Sequence, residues 1–111
     1  MKPEDYFKVI LTAEWVSVEH PKQATETVKW SDIQAIAIVN TDEGPLLPDV
    51  WLMIIGKQGH CRIPQGAEGF EAVYEIVSNY KGFDFENFIK YMTCTDNAEF
   101  LLWSNEVPLQ H

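Results

Sequence analysis

The hydrophobic pattern changes period along the chain, from two in the first half to about 3.6 in the second. Residues 30–63 carry the strongest strand signal. Val50, Trp51, Leu52, Met53, Ile54 and Ile55 form an unbroken apolar run. Successive side chains of a strand point to opposite faces, so this run must be covered on both sides and predicts a strand at the centre of the fold. Residues 33–40 predict a neighbouring strand, with Ile33, Ala35, Ala37 and Val39 on one face and Ile36 and Ile38 on the other. The small alanines imply close packing against something bulky, such as a helix. Gly56, Lys57, Gln58 and Gly59 predict a tight turn into a strand over residues 60–64.

Upstream, residues 1–5 are polar and predicted to fray. Residues 6–19 are apolar and rich in strand formers. Trp15, Val16, Ser17 and Val18 read as a strand, whereas the segment before them fits a strand or a short helix equally well. His20 and Pro21 end that element, because proline donates no hydrogen bond and restricts the residue before it. Residues 22–24 read as a polar turn. Residues 25–30 read as a half-buried strand that Ser31 and Asp32 interrupt.

Beyond residue 65 the spacing turns helical. Phe70, Val73, Tyr74, Val77 and Tyr80 share one side of a helix, with Glu68, Glu71 and Glu75 almost opposite. Gly82 ends it. Asp84 is placed to cap a second helix, with Glu86 in its first turn and a buried stripe of Phe85, Phe88, Ile89 and Met92. Residues 93–97 read as a turn, 99–103 as a last strand and 104–111 as a tail. Strands come first and helices late, which predicts an α+β fold. The expectation is a single domain over residues 1–111, with a bent antiparallel sheet of about six strands packed by two helices in the C-terminal half.

Charge narrows the function. Seventeen acidic residues face eight basic ones, and the net charge is −9. Nucleic acid and anionic membranes are captured by clustered Lys and Arg, so this balance argues against both; it favours solubility and, where there is a partner, a basic one. The opening MKPEDYF has no apolar core of a signal peptide, and no apolar run approaches the roughly 20 residues that span a bilayer. The expectation is a cytoplasmic protein whose Cys61 and Cys94 stay reduced as core residues.

Trp30-Ser31-Asp32-Ile33, Thr41-Asp42-Glu43-Gly44-Pro45, Asp49-Val50-Trp51, Ile63-Pro64-Gln65 and Gly82-Phe83-Asp84 follow one another in an order with a known likeness. Over about residues 28–103 the chain resembles a group of small, uncharacterised bacterial proteins with a pleckstrin-homology-like fold. The resemblance implies a bent antiparallel sheet closed at one end by a C-terminal helix. Two helices before the final strand depart from the simplest form of that pattern. Phosphoinositide binding does not carry over, because the basic strand-loop cluster that would hold phosphates is missing.

The candidate chemistry is acidic. Asp42, Glu43 and Asp49 sit around Gly44, Pro45 and Pro48 on one loop, which suits docking against Arg or Lys; their spacing is not that of an EF-hand. Glu68, Glu71 and Glu75 extend that surface. His60 and Cys61 are strand neighbours that point to opposite faces, so they make no nucleophile–base pair. No C-x-x-C or H-x-x-x-H pair suggests a metal. Among the tryptophans, Trp15 and Trp103 lie near element ends and are candidates for interface anchors. The expected function is a non-enzymatic interaction module of the immunity or inhibitor type, with no cofactor, that binds a basic partner through Asp42, Glu43, Asp49, Glu68, Glu71 and Glu75. The alternatives are a small enzyme or ligand-binding domain, with Asp42 or His60 at the mouth of a pocket between sheet and helices, and a structural homodimer.

Overall fold

A computed structural model describes residues 3–41, 49–94 and 97–105. After a 3-10 turn at Pro3–Tyr6 come β1 (Lys8–Leu11), β2 (Trp15–His20) and β3 (Gln23–Lys29), which form an antiparallel sheet in that order. A second 3-10 turn, Trp30–Asp32, redirects the chain into β4 (Ile33–Asn40), β5 (Val50–Gly56) and β6 (His60–Pro64). Then follow α1 (Phe70–Val77), α2 (Phe85–Thr93) and β7 (Ala98–Ser104). β7 returns to pair with β4, giving a second antiparallel sheet in the order β6-β5-β4-β7.

The fold is α+β, with seven strands and two α-helices among the described residues. It departs from the expectation of about six strands in one bent sheet. The ambiguous segment before Trp15 is a strand, β1, and the Trp30–Asp32 turn divides the strands into two sheets. That turn is anchored on the β1–β2 connection: the Trp30 backbone N–H donates to the Glu14 carbonyl at 3.0 Å, and its indole Nε1 to the Thr12 carbonyl at 2.8 Å. β3 also begins earlier than its hydropathy suggests. Gln23, Ala24 and Thr25 are all exposed, so burial left no mark there, and the β2–β3 turn is only Pro21 and Lys22.

β4 and β5 lie inside their sheet, as the apolar run requires. Registers pair Ile36 with Ile54 and Ile38 with Leu52, and β6 adds Ile63 opposite Leu52 and Cys61 opposite Ile54. Directly paired residues share a face, so these six side chains form one wall, and all six are buried. Val16, Val18 and Val28 of the first sheet and Val73 and Val77 of α1 complete the core with it. The opposite face of β5 is covered less fully. Trp51 is buried there, with the Phe7 ring edge-on at 5.4 Å and the Arg62 guanidinium 5.6 Å from its ring centre, while Met53 and Ile55 are half-buried.

α1 is shorter than its periodicity suggests. It starts after Gly69, whose φ of +99° lets the backbone turn in close beside Val9, and it relaxes into turns after Val77. α2 is capped as its sequence indicates: Asp84 Oδ1 accepts from the Asn87 N–H at 2.9 Å. Its predicted stripe is corrected. Tyr91 is the buried residue and Phe88 is half-buried, whereas Phe85, Ile89 and Met92 are exposed. The Asn87 side chain donates to the Leu101 carbonyl and the Asp84 N–H to the Leu102 carbonyl, which fixes the rotation of α2 beside β7. That rotation turns the apolar row away from the core. No helix among the described residues is long and apolar enough to cross a membrane.

Candidate interaction surface

Of the six acids singled out, Asp42 and Glu43 lie outside the described residues. Asp49 is exposed at the base of their loop, where its carbonyl accepts from the Thr41 N–H at 2.6 Å and the Thr41 hydroxyl at 3.3 Å. Glu68 precedes α1 and lines an open cleft of about 440 Å³ formed by residues 65–72. Glu71 and Glu75 are exposed on α1 itself. Among the described residues none of Asp49, Glu68, Glu71 and Glu75 is in an ion pair, so their charge faces solvent. Glu71 and Glu75 share a helix face; Asp49 belongs to the β4–β5 connection and is not part of that face.

The two helices meet at Tyr74 and Phe88, whose ring centres are 4.8 Å apart. On α1, Val73 and Val77 lie on the buried side of Tyr74, and Glu71 and Glu75, three residues before and one after it, lie on the other side. On α2, Tyr91 lies on the buried side of Phe88. Phe85, Ile89 and Met92, at the matching offsets of minus three, plus one and plus four, lie on the other. Each helix runs outward from core, through the ring contact, to solvent. A carboxylate row and an apolar row therefore border the same seam. The apolar row is well exposed: Phe85 by 52%, Ile89 by 59% and Met92 by 65%.

Among known protein families, curated proteins and solved structures, none matches this chain.

A second charged group joins the two sheets. Glu26 of β3 accepts from Arg62 of β6 through both carboxylate oxygens, and His60 Nε2 lies 3.6 Å from Oε2. Sequence order gave no hint of this group, since Glu26 is distant in the chain and lies on a strand whose polar side chains carry no burial signal. His60 therefore stands beside Glu26, at the start of β6. Cys61, its neighbour, points inward and is fully buried, with its Sγ 3.5 Å from the Val16 carbonyl. Burial, with the nearby Glu26 carboxylate as the lesser cause, pushes its thiol up from 9.0 to about 12. A thiol held that firmly in its neutral form is a poor nucleophile near neutrality.

The two tryptophans near element ends differ in their contacts. Trp103 packs edge-on against Tyr80 at 5.0 Å and donates from Nε1 to the Lys81 carbonyl at 3.0 Å, and Trp15 is half-buried in β2. Trp103, like Trp15, is half-buried. An open cleft of about 220 Å³ lies at the β5–β6 turn, lined by Thr27, Val28, Lys29, Asp32 and residues 56–59. Among the described residues no three His, Cys, Asp or Glu side chains converge to hold a metal ion.

Proposed function

We propose that the protein is a non-enzymatic interaction module of the immunity or inhibitor type, which docks a basic protein partner on the carboxylate-bearing side of α1. One observation carries this reading: Glu71 and Glu75 are exposed, with no ion pair among the described residues, beside an exposed apolar row on a chain of net charge −9. Exposed rim charges of one sign steer an oppositely charged partner and set its association rate. Asp49 and Glu68, with Asp42 and Glu43 of the acidic loop, extend the negative field. Two packed antiparallel sheets followed by helices support a pleckstrin-homology-like arrangement, from which β7, added beside β4 after the helices, is the departure. Cys61 and Cys94, neither in a disulfide, fit a reduced cytoplasmic setting.

The test is affinity capture from cell extract at about 0.05 M and about 0.5 M salt, where charge screening differs sharply. Capture by the wild-type chain is compared with capture by the Glu71→Lys/Glu75→Lys variant. The expected result is a basic protein that the wild-type chain retains at low salt and that both high salt and the variant release. A partner whose capture ignores both changes overturns the reading.

A further inference from the structure

We propose that the α1–α2 seam receives an amphipathic basic helix of the partner. The apolar side of that helix seats on Phe85, Ile89 and Met92, and its Lys or Arg side chains face Glu71 and Glu75. This rests on the functional reading above and adds the form of the partner's binding segment.

The apolar row is what a helix-in-groove contact uses: Phe85, Ile89 and Met92 are spaced four and three apart, so they make one continuous ridge along α2. Each of these side chains is more than half exposed, so the ridge is a contiguous apolar patch rimmed by charge, and the charges around it carry the assignment. Charge selects the occupant. Glu71 and Glu75 border the ridge on one side, and on α2 the exposed Asp84 and Glu86 outnumber the one exposed cation, Lys90. A second copy would bring these carboxylates against their own kind, each copy carrying a net −9. Area points the same way. Three side chains that are half to two-thirds exposed offer roughly 100 Å² apiece, well below the roughly 800 Å² per partner of a standard stable interface. An anionic bilayer is repelled by the same charges. A basic helix satisfies both rows at once.

The test uses three synthetic helical peptides and the full chain. One carries Leu at alternating spacings of three and four, with Lys on its polar face. The second has Glu in place of Lys, and the third keeps the composition of the first with the Leu positions scrambled. Binding is read by fluorescence anisotropy. The patterned Lys peptide is expected to bind about tenfold more tightly than the scrambled one, and to lose about tenfold on Ile89→Ser and about fivefold on Glu71→Gln/Glu75→Gln. The Glu peptide is expected not to bind. If both Lys peptides bind equally and Ile89→Ser changes nothing, the seam is not the site, and the acidic reading of function survives alone. If the Lys peptides bind no better than the Glu peptide, both fail. Sedimentation that reveals a dimer dispersed by Ile89→Ser would assign the ridge to a second copy and overturn the proposal. The scrambled-peptide comparison needs no variant, so a misfolded variant would not protect the idea.

Discussion

Glu26 and Arg62 join the two sheets through a single carboxylate: Oε1 accepts from the Arg62 backbone N–H at 2.9 Å and Oε2 from its Nε at 3.2 Å. β6 is an edge strand, and its Arg62 N–H points away from β5. A side chain from the neighbouring sheet thus takes the place of a further strand. This closes an edge that would otherwise be open to pairing with another chain.

Replacing Glu26 by Ala is expected to cost about 1–2 kcal/mol, the scale of charge-assisted hydrogen bonds discounted for partial exposure. Glu26→Gln keeps an acceptor for the Arg62 N–H and is expected to lose less than half of that. Urea unfolding of both variants measures the difference. Equal losses would mean that the charge, and not the edge hydrogen bond, does the stabilising.

Gly69 and Gly82 separate two reasons for glycine. Both have positive φ, but a Cβ on Gly69 would lie 2.8 Å from the Val9 Cβ, whereas one on Gly82 meets nothing within 4 Å. Gly82→Ala is therefore expected to cost about 1 kcal/mol for backbone strain alone. Gly69→Ala is expected to cost more, because α1 must also move off β1. Val9→Gly, which removes the Cβ that Val9→Ala would keep, should recover part of the Gly69→Ala loss and none of the Gly82→Ala loss, each read as the difference in urea midpoint from the Val9→Gly single variant.

Cys61 makes stability fall at high pH. Its thiol binds a proton more tightly when folded, so its contribution is complete below the unfolded value near 9 and is lost as pH rises toward about 12. The loss approaches about 1.4 kcal/mol per pH unit within that window. Burial raises Tyr80 and Tyr91 in the same direction. Urea midpoints from about pH 8 to about pH 11 should decline less steeply in Cys61→Ala, by one proton's share. In the native protein Cys61 should also resist alkylation until the chain unfolds.

Ile54 and Ile89 look alike in sequence and differ in place. Ile54 is fully buried, and Ile54→Ala is expected to cost about 2–5 kcal/mol. Ile89 is 59% exposed, and Ile89→Ala should stay within about 0.5 kcal/mol. A large loss at Ile89 would return it to the core, where its spacing first placed it.

That contrast shows what the sequence can and cannot say. The run from Val50 to Ile55 placed β5 inside its sheet, because an apolar run of that length is written in the side chains themselves, although only the Leu52–Ile54 face is fully buried. Ile33–Asn40, the Gly56–Gly59 turn and the Asp84 cap were legible for the same local reason. The stripe on α2 was misread because periodicity fixes which residues share a face but not which way the face turns. Its rotation is set by Asn87 and Asp84 bonding to β7, contacts made across the fold. Charge spacing found Glu71 and Glu75 on one helix face, yet the apolar row across the seam belonged, in the sequence reading, to the core. The Glu26–Arg62 link was invisible, since nothing local connects the two positions.

β7 pairs with β4 only after both helices have been made. During synthesis β4 therefore leaves the ribosome with one bare side of hydrogen-bonding groups, and that side stays bare while α1 and α2 are still being translated. Long-range pairing of this kind folds slowly and exposes the nascent chain to sticking. A chain stopped between α2 and β7 would leave the β4 edge beside Ile36 and Ile38 without its partner, open to pairing with another chain.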